Sequence, residues 1–187
     1  MIILGVDPGT LITGYGVIRR NGATLNVLDV GVIKIPPGDT MPLRLRRIYS
    51  ELCRIIEKFH PDEFAIETAF YSKNAQSALK IGQARGVSML AGVNFEVPIS
   101  EYSPREIKKS VVGNGAASKE QVQYMIKSLL KLKTTPKFFD ATDALAVAVC
   151  HSHRITRPRS GFKSWTSFVE AHPERIITGN AKVKSKR

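Results

Sequence analysis

Four carboxylates hold positions from which they could act together: Asp7, Glu67, Asp140 and Asp143. Asp7 closes a short apolar run just before Pro8-Gly9, which reads as a buried strand stopping at a tight turn. Glu67 closes a second such run, EFAIET, that starts at Glu63. If the two strands lie side by side and parallel, both carboxylates emerge at the same sheet edge, where open α/β sheets place their sites. Asp140 and Asp143 are three apart at the start of a helical segment, so they share one face. The rest of that segment, ALAVAVC, is apolar almost all round and must pack on the sheet. Four converging carboxylates repel one another and take up protons more readily, and a divalent cation removes the conflict. Oxygen-only ligands suit Mg²⁺ or Mn²⁺, and no His/Cys cluster of zinc type occurs.

Each acid also has a plain structural explanation. Asp7 suits a turn, Glu67 suits half of a surface ion pair, and Asp140 and Asp143 suit a first helical turn, where acids favour the dipole. The combination is what predicts metal-assisted phosphodiester chemistry, because it sits on a strongly basic chain. Its 187 residues carry 28 Lys+Arg against 16 Asp+Glu, a net charge of +12. Such a surplus favours a polyanion, since each neutralised phosphate releases counterions.

The elements that must position these acids follow from the pattern. After the first strand, Tyr15–Arg20 reads as a strand, Asn21-Gly22 as a hairpin turn, and about Thr24–Ile35 as a third strand, closed by Pro36-Pro37-Gly38. Residues 42–60 switch to helical spacing, with Leu45, Ile48, Leu52, Ile55 and Phe59 on one face and Pro61 as the stop. A long helix is expected over about Lys73–Phe95, with Ser72 or Asn74 as cap, and a fifth strand over Pro98–Tyr102. Pro104 starts a helix that Gly113-Asn114-Gly115 breaks, and Ser118 with Gln121 forms a capping box for the next. The last helix runs from Asp140 to about Arg154. Strands first, then strands alternating with helices, predict an α/β domain with a mixed sheet over residues 1–154.

Residues 155–187 differ in character. With Arg154 they hold nine Lys/Arg against Glu170 and Glu174, over half of the whole surplus. This basic C-terminal tail is expected to be partly disordered, its final AKVKSKR especially. Cys53 and Cys150 read as buried free thiols of a reducing compartment. No apolar run is long enough for a membrane span and no signal peptide is evident, so a cytoplasmic, non-membrane protein is expected.

The motifs LGVDPGT, TGYGVI, FAIET, KNAQSALKIGQARGV, EYSPREIKKSVVGNG and DATDALA occur in this order over about residues 2–153. In that series the chain resembles the RuvC family of Holliday-junction resolvases, within the ribonuclease H-like fold. The resemblance implies a five-stranded mixed sheet with its second strand antiparallel, flanked by helices. It implies an endodeoxyribonuclease of DNA recombination and repair that cuts four-way junctions by paired, symmetric nicks. The family's working form is a homodimer, and junction-binding and branch-migration proteins are its expected partners. The four acids occupy the family's acidic positions, where two Mg²⁺ per subunit are implied, with Mn²⁺ able to substitute.

Further site residues come from the resemblance. Phe70, beside Tyr71, matches an aromatic that stacks on a base at the crossover; its alternative is a hydrophobic anchor for the loop. Lys108 and Lys119 match basic positions that hold phosphate or stabilise developing charge, whereas the neighbouring Lys109 reads as a solvated lysine. Lys73 and Asn74 either contact phosphate or start the helix. Gly82 and Gly86, four apart with Ala78 and Ala84 nearby, imply close backbone packing, either across a dimer interface or within one chain. Cys150, His151 and His153 lie too close along one helix to converge on a metal.

Three other classes compete with this reading. An actin-like ATPase or sugar kinase also begins with a strand and Asp-x-Gly-Thr, but needs two such domains around a nucleotide. A non-catalytic DNA-binding module has no use for four acids that repel phosphate. A ribonuclease H-like enzyme acting on RNA is disfavoured by the Phe70 loop and the GQARG helix.

Overall fold

The computed structural model describes residues 1–68 and 75–155, all within one compact unit, Met1–Ile155. Phe70, Tyr71, Lys73, Asn74 and the basic C-terminal segment lie outside the described residues, as do the expected helix caps Ser72 and Asn74.

Five strands form one sheet: β1 (Ile2–Asp7), β2 (Ile12–Asn21), β3 (Thr24–Lys34), β4 (Glu63–Glu67) and β5 (Ile99–Tyr102), in the order β3-β2-β1-β4-β5. β2 runs antiparallel to β1 and β3, while β4 and β5 run parallel to β1, giving the mixed sheet that the resemblance implies. The Asn21-Gly22 turn does join β2 to β3, with Gly22 at φ 62°.

The helices are α1 (Met41–Phe59), α2 (Ala75–Asn94), α3 (Pro104–Val112), α4 (Lys119–Leu129) and α5 (Phe139–Ile155). The local signals act where expected. Ser118 accepts from the backbone three residues on, with Gln121 reaching back, and Pro104 opens α3; Ser103 with Glu106 adds a second capping box, not singled out from sequence. α3 ends at Gly113 in the left-handed region, φ 86°. α1 ends at Phe59, and His60, the residue before Pro61, caps it in the left-handed region with φ 45°.

Alternation along the strands splits the core into two layers. Ile3, Ile18 and Ala65 face α3, α4 and α5, whereas Leu4, Val6, Val17, Phe64 and Ile66 face α1 and α2. The central strand β1 is therefore apolar on both faces, as a strand buried on both sides must be. α5 is buried from Ala144 through Ser152, consistent with its apolar sequence. One expectation needs correction. Cys53 is only partly buried, being on the flank of α1, while Cys150 is buried. Of the two alternatives for Gly82 and Gly86, packing within one chain finds no neighbour among the described residues, where a Cβ built at either meets nothing within 4 Å. Ala84 points the other way, into the core.

Candidate active site

The two-residue repeat of a strand decides where Asp7 and Glu67 point. Asp7 follows Ile3 and Gly5 on the α5 side of β1, and Glu67 follows Ala65 on the same side of β4. Val6 pairs with Ile66 in a parallel register, so Asp7 and Glu67 leave neighbouring strands at the same edge. The backbone beyond Asp7 turns tightly. Thr13, fully buried, donates its hydroxyl to Gly9 O (2.7 Å) and accepts from Gly9 N (3.3 Å), latching the Pro8–Ile12 segment.

α5 reaches this edge because glycines let it. A Cβ at Gly14 would lie 1.9 Å from the Asp140 carbonyl oxygen, and one at Gly5 would lie 2.2 Å from that of Ala144. At Gly16 it would meet the Leu145 side chain at 2.7 Å. Gly14 is the β2 partner of Asp7, so the start of α5 sits directly against the strand pair that carries Asp7. These three glycines were not singled out from sequence as site residues. The available signal was glycine inside a strand, which marks a close approach.

Asp7, Glu67 and Asp143 line one pocket of about 200 Å³, walled by Pro104, Ile107 and Val122 and rimmed by Lys108 and Lys119. Asp140 does not line it. It acts on Asp7 only at a distance, through charge. Lys119 Nζ donates to Asp143 Oδ2 at 3.0 Å. Lys109, the solvated neighbour of Lys108, is exposed and takes no part.

The electrostatics match the crowding. Burial pushes Asp7 well above the usual carboxylate range, and the charges of Glu67, Asp143 and Asp140 push it further, against Lys119. Burial, then Asp143, raises Glu67 to about 7, with Lys119 and Lys108 opposing. Burial works against the Lys119 charge, but its bond to Asp143 and the nearby Asp7 and Asp140 leave it held above its ordinary value. Two half-buried acids, both held above the usual carboxylate range, form a set that a hard cation would relieve. The donor chemistry therefore fits a divalent metal ion, although among the described residues no three Asp, Glu, His or Cys side chains already stand as a ready-made cage. The carboxylates would have to turn inward around the ion.

A larger hollow of about 440 Å³ lies where α1 meets β2 and β3. Four of its five charged side chains are paired with one another, Lys58 with Asp29 (3.3 Å) and Arg54 with Glu51 (3.2 Å), which leaves Glu57. No comparable cluster of unspent groups lines it.

A family model described as crossover junction endodeoxyribonuclease RuvC matches residues 3–151. The chain belongs to the RuvC family. The crossover junction endodeoxyribonuclease RuvC of Cytophaga hutchinsonii is 43% identical over 186 residues, covering 100% of this chain and 93% of that protein. That of Photorhabdus laumondii subsp. laumondii is 55% identical over 152 residues, 81% of this chain and 87% of the relative. Among solved structures, Thermus thermophilus RuvC in complex with a Holliday junction substrate superposes with a TM-score of 0.78 at 31% identity, covering 83% and 94% of the two chains. The RuvC match ends at residue 151, so it takes in all four acids and both rim lysines.

Proposed function

We propose that this chain is the RuvC-type resolvase of its cell, cutting four-way DNA junctions in recombination and repair by one phosphodiester hydrolysis per subunit. The observation that carries the reading is the grouping of Asp7, Glu67 and Asp143 in one lysine-rimmed pocket. Acids alone repel a phosphate backbone, and acids rimmed by lysines suit a phosphate that arrives with a cation.

Asp7, Glu67, Asp140 and Asp143 would hold Mg²⁺, two ions per subunit, with Mn²⁺ as substitute. Bound there, the ions would supply charge neutralisation and an activated water. Lys119 orients Asp143 and keeps positive charge at the pocket mouth. Lys108, half-buried on α3, faces the same opening and suits a backbone phosphate beside the cut. The apolar wall of Ile107 and Val122 limits water around the carboxylates, which strengthens every charge interaction inside. Phe70, with Tyr71, Lys73 and Asn74, is read as the contact to the crossover, by the family resemblance alone.

The working form is proposed to be a homodimer. α2 turns Leu79, Leu90 and Val93 to the outside, 50% to 66% exposed, with Gly82 and Gly86 between them. Small residues flanked by exposed apolar ones suit close approach of a second copy. Residues 1–154 make the nuclease domain, and the basic segment 155–187 serves as a second DNA contact or a docking segment for junction-binding and branch-migration proteins. Among the described residues no helix is long and apolar enough to cross a membrane, and the cytoplasm is the proposed location.

The test is cleavage of a synthetic four-way junction beside a linear duplex of matching sequence, in Mg²⁺ and in EDTA, with Asp7→Asn as control. Paired, metal-dependent nicks on the junction alone, lost in the variant while binding persists, are the expected result. Equal cutting of the duplex would overturn junction selectivity, and ATP turnover in place of cutting would favour the kinase-like class.

A further inference from the structure

We propose that Lys34, Lys137, Phe138 and Phe139 form a cationic, aromatic lip that holds the backbone of one DNA arm, on the side of the acidic pocket away from Lys108 and Lys119. The inference rests on the reading of the chain as a junction nuclease and extends it to a surface outside the acidic pocket.

Lys34 is the last residue of β3 and is exposed. Its ammonium lies over the ring of Phe138, 4.7 Å from the centroid. A lysine held over a ring keeps its charge in place and loses less rotamer freedom when it meets a phosphate. By contrast, three long cations of α1, on the opposite face of the sheet, are neutralised: Arg47 by Asp39, Arg54 by Glu51 and Lys58 by Asp29. Among the described residues, no carboxylate forms an ion pair with Lys34 or with the exposed Lys137. The charge is thus available to a partner.

Apolar surface surrounds it. Phe139 is 40% exposed at the first turn of α5, and Leu11 is 47% exposed. Leu11 is tied to the end of β3 by Ile35 N donating to its carbonyl at 2.9 Å. A single exposed apolar residue needs no explanation, but two beside an unpaired, ring-held lysine do. A free phosphate backbone, with charge outside and sugar faces between, offers both chemistries.

The register fixes where the lip stands. Asp7 pairs with Gly14, Gly14 with Val32, and Ile12 with Lys34. Lys34 is therefore two strands across from Asp7 and two residues further out, about 12 Å in all at ~4.8 Å per strand and ~3.4 Å per residue. β4, whose Glu67 shares the acidic pocket with the rim lysines, lies on the other side of β1. That spacing equals about three to four base-pair rises of ~3.4 Å, so the lip reaches the arm beyond the cut rather than the cut itself.

The experiment measures affinity for an immobile four-way junction in EDTA across a salt series, with wild type, Lys34→Ala and Lys34→Arg. Lys34→Ala is expected to weaken binding about threefold to tenfold, and to lower the slope of log K against log salt by about 0.9 for each subunit that loses the contact. Lys34→Arg keeps both. Neutral methylphosphonates placed three to four base pairs from the cut should weaken wild type but not Lys34→Ala. Wild-type binding with an unchanged slope in Lys34→Ala, or an equal methylphosphonate penalty in both, overturns the lip alone. No binding by wild type overturns the reading of function beneath it.

Discussion

Lys119 Nζ donates to Asp143 Oδ2 across 3.0 Å, tying the first residue of α4 to the acid one turn inside α5. The lysine is 61% exposed and Asp143 only 16%, so a solvated cation anchors a half-buried anion. At an exposed surface such a pair contributes little. Here its value is electrostatic, because the same charge opposes protonation of Asp7 and Glu67. Lys119→Ala is expected to cut single-turnover junction cleavage by about 10²-fold. It should also move the acid limb of the pH–rate profile to higher pH. A slower enzyme with an unmoved limb would assign Lys119 to phosphate contact alone.

The protons held by Asp7 and Glu67 set a pH window. Glu67 is raised from 4.5 to about 7 in the fold, so between those values the folded protein binds more protons than the unfolded chain. By linkage, metal-free stability falls as pH rises through that window, and the full cost is present above about 7. Asp7→Asn removes a charge that contributes to this cost. In EDTA the variant should be more stable than wild type at pH 8, by about 1–3 kcal/mol, with little difference at pH 4. Urea melts at the two pH values measure it. Metal competes with protons for the same oxygens, so raising Mg²⁺ should shift the midpoint of cleavage against pH downward.

The approach of α5 to the sheet is backbone against backbone at Gly14, where an added Cβ would sit 1.9 Å from the Asp140 carbonyl. No flexible side chain can yield there. Gly14→Ala should destabilise the fold by about 1–3 kcal/mol and displace the start of α5. Cleavage should fall further than the loss of folded protein explains, since Asp140 and Asp143 ride on that helix. Gly22→Ala is a contrasting control: its Cβ meets nothing, and only its positive φ of 62° is strained.

How much of this was legible beforehand differs by kind of signal. The capping box at Ser118 and the stop at Gly113 are local, so sequence spacing carries them fully. The convergence of Asp7 and Glu67 needed only strand alternation and the assumption of parallel neighbours, and both hold. Asp140 was harder. Its position three before Asp143 put both acids on one face, but the pocket takes in Asp143 and not Asp140. That difference depends on how closely α5 lies on Gly5, Gly14 and Gly16, a tertiary fact that helical periodicity does not contain. Gly82 and Gly86 show the reverse case. Paired helical glycines signal close packing, and the described residues supply no neighbour for them.

The outer face of α2 then gives a direct prediction. Leu90 and Val93 are 50% and 59% exposed, so Leu90→Glu with Val93→Glu removes little that this chain buries. Folding stability should stay within about 0.5 kcal/mol of wild type, as for surface changes generally. Self-association, followed by sedimentation over a concentration series, should instead weaken strongly, because two carboxylates per copy would face their twins across the interface. On the junction, the two nicks should lose their pairing and appear one at a time. Gly82→Ala separates helix strength from contact. It adds up to about 1 kcal/mol of helix propensity to the single chain and, if the copies meet at that glycine, still loosens the dimer. Unaltered association in the double variant would place the interface elsewhere on the chain.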